Sequence, residues 1–326
     1  MGRFILRRFL MLVPVLIGVS VVAFLIIQLA PGDPAQLMAG LDATEADVEM
    51  LREKFGLNRP LAVQYGMFVR GLFSGELMSL RYESPVMEVI LPRLGHTLVL
   101  ALSSIVLAVL IGVSAGVLSA VMRKTWVDYA ATVLALFGIS MPVFWWGLLL
   151  MLLFSVKLMW LPSGGTGTLA HLVLPSIVLG TASAGIIARM TRSSMLDVLR
   201  QDYITTALSK GLKENAIIVK HALKNCLIPL VTIIGGSMAM VLAGSIISEN
   251  IFSIRGIGTY MYGGISSRDY PVVMAGVLVM AFVVCVVNLL VDILYAFVDP
   301  RIKTIYGIRK NKRKKPAVMP GAESEV

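Results

Sequence analysis

The sequence predicts an all-α membrane protein with about six transmembrane helices and both termini in the cytoplasm. Three observations lead there. Hydrophobic side chains make up 57% of the 326 residues and charged ones 15%, and with a mean hydropathy of +0.84 the chain carries more apolar surface than a soluble core could hide. The apolar residues gather in six long runs, and roughly 20 apolar residues suffice for one helical crossing of a bilayer. Lysine and arginine collect in alternate connections between those runs, the asymmetry that orients membrane proteins.

In chain order the expected spans are residues 9–30, 97–121, 133–156, 172–190, 227–249 and 272–298. Each is read as a helix because a helix leaves no backbone group unpaired in lipid. Arg3, Arg7 and Arg8 ahead of the first run imitate a signal peptide. The run is too long for a signal core, and Gln28-Leu29-Ala30 makes a poor cleavage site, so it is taken as a retained helix. Cys226 and Cys285 fall in or beside apolar runs, where they act as small hydrophobes rather than a disulfide framework.

Basic residues set the orientation. The N-terminal arm holds three, the turn after the second span has Arg123 and Lys124, the segment Arg189–Lys224 holds seven and the tail after Asp299 eight. On the opposite side Lys157 stands alone in its loop, and Arg255 and Arg268 are a pair in theirs. Residues 191–226 and the basic tail 299–326 therefore lie inside, and residues 31–96 form a long outer loop. The +10 formal charge is explained by topology and by anionic lipid beside the tail. Nucleic acid is not an expected partner, because no soluble domain is left to read a groove.

The outer loop opens with the turn Pro31-Gly32-Asp33-Pro34. Thr44 is placed to cap a helix carrying Glu45 and Asp47 in its first turn, with Gly56 ending it. Val63, Met67, Val69 and Leu72 suggest a second amphipathic piece. A lid packed on helix ends and an exposed docking platform both fit; the sequence leans to the lid. If it is a platform, Glu49 and Glu53 are the candidate contacts for an external partner.

The inner segment carries more information. Met195, Val198, Leu199, Tyr203, Ala207 and Leu208 form a helical stripe, with Arg200, Asp202 and Lys210 off it. Gly211 interrupts, and Ala216, Ile217 and Val219 resume the pattern. A short helix with a small-residue face suits a cleft on another protein, and equally suits a bilayer surface. Physical reasoning alone leaves the two open.

Tyr203-Ile204-Thr205-Thr206-Ala207-Leu208-Ser209-Lys210-Gly211-Leu212, followed by His221-Ala222-Leu223-Lys224-Asn225 and Pro229, resembles the EAA loop of binding-protein-dependent ABC importer permeases, specifically the peptide/nickel branch. The likeness continues in Arg7-Arg8, Pro31-Gly32-Asp33-Pro34, Leu61-Ala62-Val63-Gln64-Tyr65, Ser140-Met141-Pro142, Arg268-Asp269-Tyr270-Pro271 and Asp299-Pro300-Arg301. Each piece is weak alone; so many in order are specific. Three departures stand out: Thr205 replaces the glutamate of the general pattern, Pro229 lies further from Gly211 than that pattern places its proline, and Ile254-Arg255 replaces an expected Trp-Pro pair after Glu249-Asn250-Ile251-Phe252-Ser253. The resemblance implies a type I ABC importer permease fold in a bacterial or archaeal cytoplasmic membrane. Its implied partners are a paralogous permease (a heterodimer), two ATPase subunits holding ATP and Mg, and an extracytoplasmic solute-binding protein. It further implies that Tyr203, Ala207, Gly211 and Leu212 couple to the ATPases, and that the cargo is a di- or oligopeptide or, alternatively, nickel or another metal chelate.

No catalytic set competes. Gly180 to Gly185 has phosphate-loop spacing, but Ile186 stands where lysine is required, so ATP hydrolysis and its cofactors are expected on other subunits, with none on this chain. His96, His171 and His221 are scattered, without metal-ligand spacing. Paired acids or a nucleophile–base set for a membrane enzyme are missing, and so are the internal repeat and midplane ion sites of a secondary transporter. Asn288 and Asp292, four residues apart on one helix face, either line a pathway or bond to a neighbouring helix; the second reading is favoured. Gln28, Ser103, Ser104 and Ser114 are equally two-sided.

Overall fold

A computed structural model describes residues 2–29, 32–40 and 43–298, and among these it is helical with no strand beyond one isolated bridge, Met78 to Pro85. The basic tail, Asp299-Pro300-Arg301, Pro31 and the last residue of the first expected span lie outside the described residues. The first helix, α1, is Gly2–Gln28. The outer segment folds into α2 (Pro34–Ala39), α3 (Glu45–Phe55) and α4 (Leu61–Ser74). Then come α5 (Val86–Val121), α6 (Trp126–Ser140) and α7 (Val143–Leu150), which runs on as a π-helical stretch, Met151–Lys157. The rest comprises α8 (Ala170–Leu199), α9 (Asp202–Ser209), α10 (Glu214–Ala216), a second π-helical stretch Ile217–Leu223, α11 (Lys224–Ile251), α12 (Ile257–Ser267) and α13 (Tyr270–Val298).

Among the described residues five helices are long and apolar enough to cross a membrane unbroken, and the pair α6 and α7 with its π-helical extension is apolar enough for a sixth only as a broken segment, bent by 106°. That bend corrects the expectation of one continuous helix over 133–156. Pro142 has no N–H to continue the ladder, and it holds Met141 extended at φ −75° and ψ 123°. The other spans begin before their expected limits, while α1 ends at Gln28, short of 30. α5 starts at Val86 rather than 97, and α8 reaches Leu199 rather than 190. Hydropathy marks where lipid ends, while the helical hydrogen-bond ladder continues through the polar residues beyond. At 36 residues α5 is about 54 Å long, well over the roughly 30 Å of hydrocarbon.

α8 is the central helix: 56% of its apolar window is buried, against 17% for α1 and α13. It packs on α5 at backbone distance because glycines face the neighbour. A Cβ on Gly112 would sit 2.7 Å from the Ala184 carbonyl oxygen, and one on Gly116 2.6 Å from that of Ala188. In lipid, such close packing replaces the hydrophobic drive that water would supply.

The outer segment divides into two behaviours. α4 and the chain after it pack down: Phe68, Leu77 and Leu80 are buried, the Tyr65 hydroxyl meets Ser20 Oγ at 2.7 Å, and Gln28 donates to Gln64 at 3.0 Å. Buried Asp269 holds this cover in place by accepting from the Leu80 and Arg81 N–H groups at 3.1 and 3.2 Å and from the Ser79 hydroxyl. α3 buries no residue. Its start is the expected cap, with the Asp47 N–H donating to Thr44 Oγ1 and the Thr44 N–H to Asp47 Oδ2, and Gly56 ends it at φ 65°. The Thr44 hydroxyl and N–H hold the Asp47 carboxyl below its ordinary value.

Candidate functional site

The sequence-predicted contact residues lie on α9 and the turn after it. α9 forms as one short amphipathic piece, and its two faces sort by side chain. Ile204 and Ala207 turn inward and bury against Ile217 of the second π-helical stretch. Tyr203, Leu208 and Leu212 stay outside, Tyr203 at 43% and Leu212 at 42% exposure. Ala207, expected on the outward stripe with Tyr203, is only 8% exposed. The reason is packing: the chain folds back after Gly211, and Ile217 of the returning segment covers the Ile204–Ala207 edge. Gly211 takes the left-handed conformation, φ 75°, with no atom within 4 Å of where its Cβ would be. The turn needs glycine for its backbone, while the space around it is open.

Above α9 lies a charged cluster that the sequence did not flag. Asp128, in the first turn of α6 and 3% exposed, receives the Arg192 guanidinium through two parallel bonds, Nε at 2.7 Å and Nη2 at 2.9 Å. The Ser119 hydroxyl near the end of α5 donates to the same carboxylate and itself accepts from Arg192 Nε at 3.0 Å. The Lys124 N–H donates to it at 3.0 Å. Arg192 was counted only as a topology signal, and its partner is 64 residues away, beyond any local pattern.

At the other end of the bundle, Glu249 is fully buried. It accepts from the Thr97 hydroxyl at 2.7 Å and from the Thr259 N–H at the start of α12 at 3.1 Å. Thr97 in turn accepts from the Ile257 N–H at 2.9 Å. One carboxylate thus joins α5, α11 and α12 without a cation. Glu249 had been placed at the edge of a span, where a carboxylate passes for an interfacial one.

Asp292 pairs with Arg8 of α1 at 2.9 Å, and Asn288 is exposed on the surface of the chain. Glu49 lies on exposed α3 and pairs with Arg52 at 2.9 Å, and Arg52 also binds Asp33. Glu53 is exposed with no ion pair among the described residues. No group of three metal-ligating side chains occurs among the described residues.

Five long apolar helices, with a short amphipathic helix between α8 and α11, define a polytopic membrane protein. Two family models match, covering nearly the whole chain: the binding-protein-dependent transport system inner membrane component over residues 108–304, and its N-terminal membrane component over residues 1–101. The chain belongs to this family. Among its relatives is the dipeptide transport system permease protein of Alkalihalophilus pseudofirmus, 44% identical over 332 residues, spanning 93% of this chain and all of that one. The oligopeptide transport system permease protein of Bacillus subtilis is 44% identical over 317 residues with the same coverage. A glutathione transport system permease protein of Salmonella typhimurium is 41% identical, covering 93% of this chain and 99% of that one. The fold matches an inward-facing structure of the MetNI methionine ABC transporter with a TM-score of 0.57 at 19% identity, over 66% of this chain and 99% of that one.

Proposed function

We propose that this chain is the permease subunit of an ATP-driven peptide importer, pairing with a paralogous permease to enclose the pathway. The supporting observation is end-to-end identity of 41–44% with permeases named for dipeptides, oligopeptides and glutathione. All three are peptides, so peptide is taken over a nickel or metal chelate. An extracytoplasmic binding protein delivers the cargo to the outer face, where α3 offers Glu49 and Glu53. Two ATPase subunits carry ATP and Mg, and one of them seats on α9 from the cytoplasm through Tyr203, Leu208 and Leu212. Gly211 shapes the end of that contact, and Ala207 supports it from behind by packing on Ile217. Both termini lie in the cytoplasm of a bacterial or archaeal cell, and the charge asymmetry supports this orientation. The Arg8–Asp292 pair favours a helix-joining role for Asp292 over a pathway role.

Co-isolation with uptake tests the reading. Tagged chain purified from membranes should bring down the second permease and the ATPases. Reconstituted with the binding protein, the complex should concentrate labelled dipeptide only when ATP is supplied. Uptake without ATP, or uptake of a nickel chelate with no competition from peptide, would overturn it.

A further inference from the structure

α9 hangs between two arms of unequal stiffness. On its N-terminal side only Arg200 and Gln201 separate it from α8. On its C-terminal side the chain returns through the Gly211 turn, α10 and the wide π-helical turn Ile217–Leu223 before α11 begins. That second arm is held to the bundle by apolar packing, with Ala222, Cys226 and Leu230 meeting Met195 and Ala120. Apolar contacts are non-directional and fix no bond geometry. The α8 arm is held differently. Seven residues before its end, Arg192 forks onto Asp128, which is anchored in turn by Ser119 and the Lys124 N–H. A two-point guanidinium–carboxylate bond fixes distance and rotation together. The glycine contacts of α5 on α8 continue the same lock one and two turns further along.

We infer that the Asp128–Arg192 fork is the clamp that makes α5, α6 and α8 move as one body with α9, so that a push on α9 is delivered along α8 and not absorbed at the π-helical turn. Asp128 and Arg192 are positioning residues in this role. The inference rests on the reading that α9 receives the ATPase.

The test uses the complete complex with spin labels at Ser209→Cys on α9 and Val133→Cys on α6, both exposed positions; the native Cys226 and Cys285 are buried. With the clamp intact, the label-to-label distance should be unchanged between nucleotide-free and ATP-bound states. With Asp128→Asn it should differ between the two states, and peptide taken up per ATP hydrolysed should fall roughly tenfold in assembled complexes. A purely structural role would lower both activities together and leave that ratio intact. Should Asp128→Asn fail to assemble, Arg192→Lys keeps the charge, loses the fork and allows the same comparison. A constant distance together with an uptake-to-ATP ratio within about twofold of the parent would overturn the clamp, being smaller than coupling networks commonly show. The distance is read without cargo, so a parent complex that moves no peptide would count against the peptide reading and not against the clamp.

Discussion

At Gly211 conformation and contact can be separated by experiment. The backbone is left-handed at φ 75° while the Cβ direction is empty. A side chain there costs backbone energy only, about 1–2 kcal/mol for an ordinary L-residue, and less for asparagine, which tolerates this region. Gly211→Asn should therefore keep assembly and uptake, Gly211→Ala should weaken the turn, and Gly211→Trp should insert normally yet lose ATPase co-purification. Uptake measured per inserted chain checks the series. Wild-type uptake with tryptophan would remove this turn from the docking surface. Gly211 could be read from the sequence because a turn that requires φ > 0 leaves its mark at a single position. Ala207 could not: its face depends on where residues 213–217 return, and that is settled by tertiary packing.

Helices differ in how far their limits could be read. α3 was legible because its ends are chemical: the Thr44–Asp47 box and the Gly56 stop act within a turn of chain. α5 and α8 were legible only as apolar runs, since nothing local ends a helix where lipid ends. The break at Pro142 was passed over because the Ser-Met-Pro tripeptide sits inside an otherwise continuous apolar stretch. Asp128 and Glu249 escape a local reading for a related reason, each having one partner more than 60 residues away, Arg192 and Thr97. For α3 a sharper prediction follows. Glu49 is tied to Arg52, which also binds Asp33, so reversing Glu49 disturbs the helix as well as its surface. Glu53→Lys is the cleaner variant. It should weaken binding of the extracytoplasmic binding protein several-fold, in line with the loss of a rim charge, without changing assembly of the membrane subunits. Titration of the purified complex with binding protein at low and at high salt checks it, and the difference should shrink as salt rises.

For the whole molecule, the architecture is a central α8 flanked by α5, α6 and α11, with a buried carboxylate cluster at each end. Glu249 knits one end through Thr97 and the start of α12, and Asp128 knits the other through Arg192 and Ser119. Between them the bundle is closely packed, with buried hydroxyls such as Ser104 and Thr191 bonding back to their own helices and Ser103 meeting Ser176 at 2.7 Å. Both features suit a body that rocks as a unit, with α9 as its handle. The central claim is that α9 is where the ATPase takes hold, and its most direct measurement is cross-linking in the assembled complex, using single cysteines at Tyr203, Leu212, Ala207 and, on the turn before α6, Trp126. The structure predicts bonds to the ATPase subunit from Tyr203→Cys and Leu212→Cys, and none from buried Ala207→Cys. Cross-links from Trp126→Cys with none from positions 203 and 212 would contradict the account.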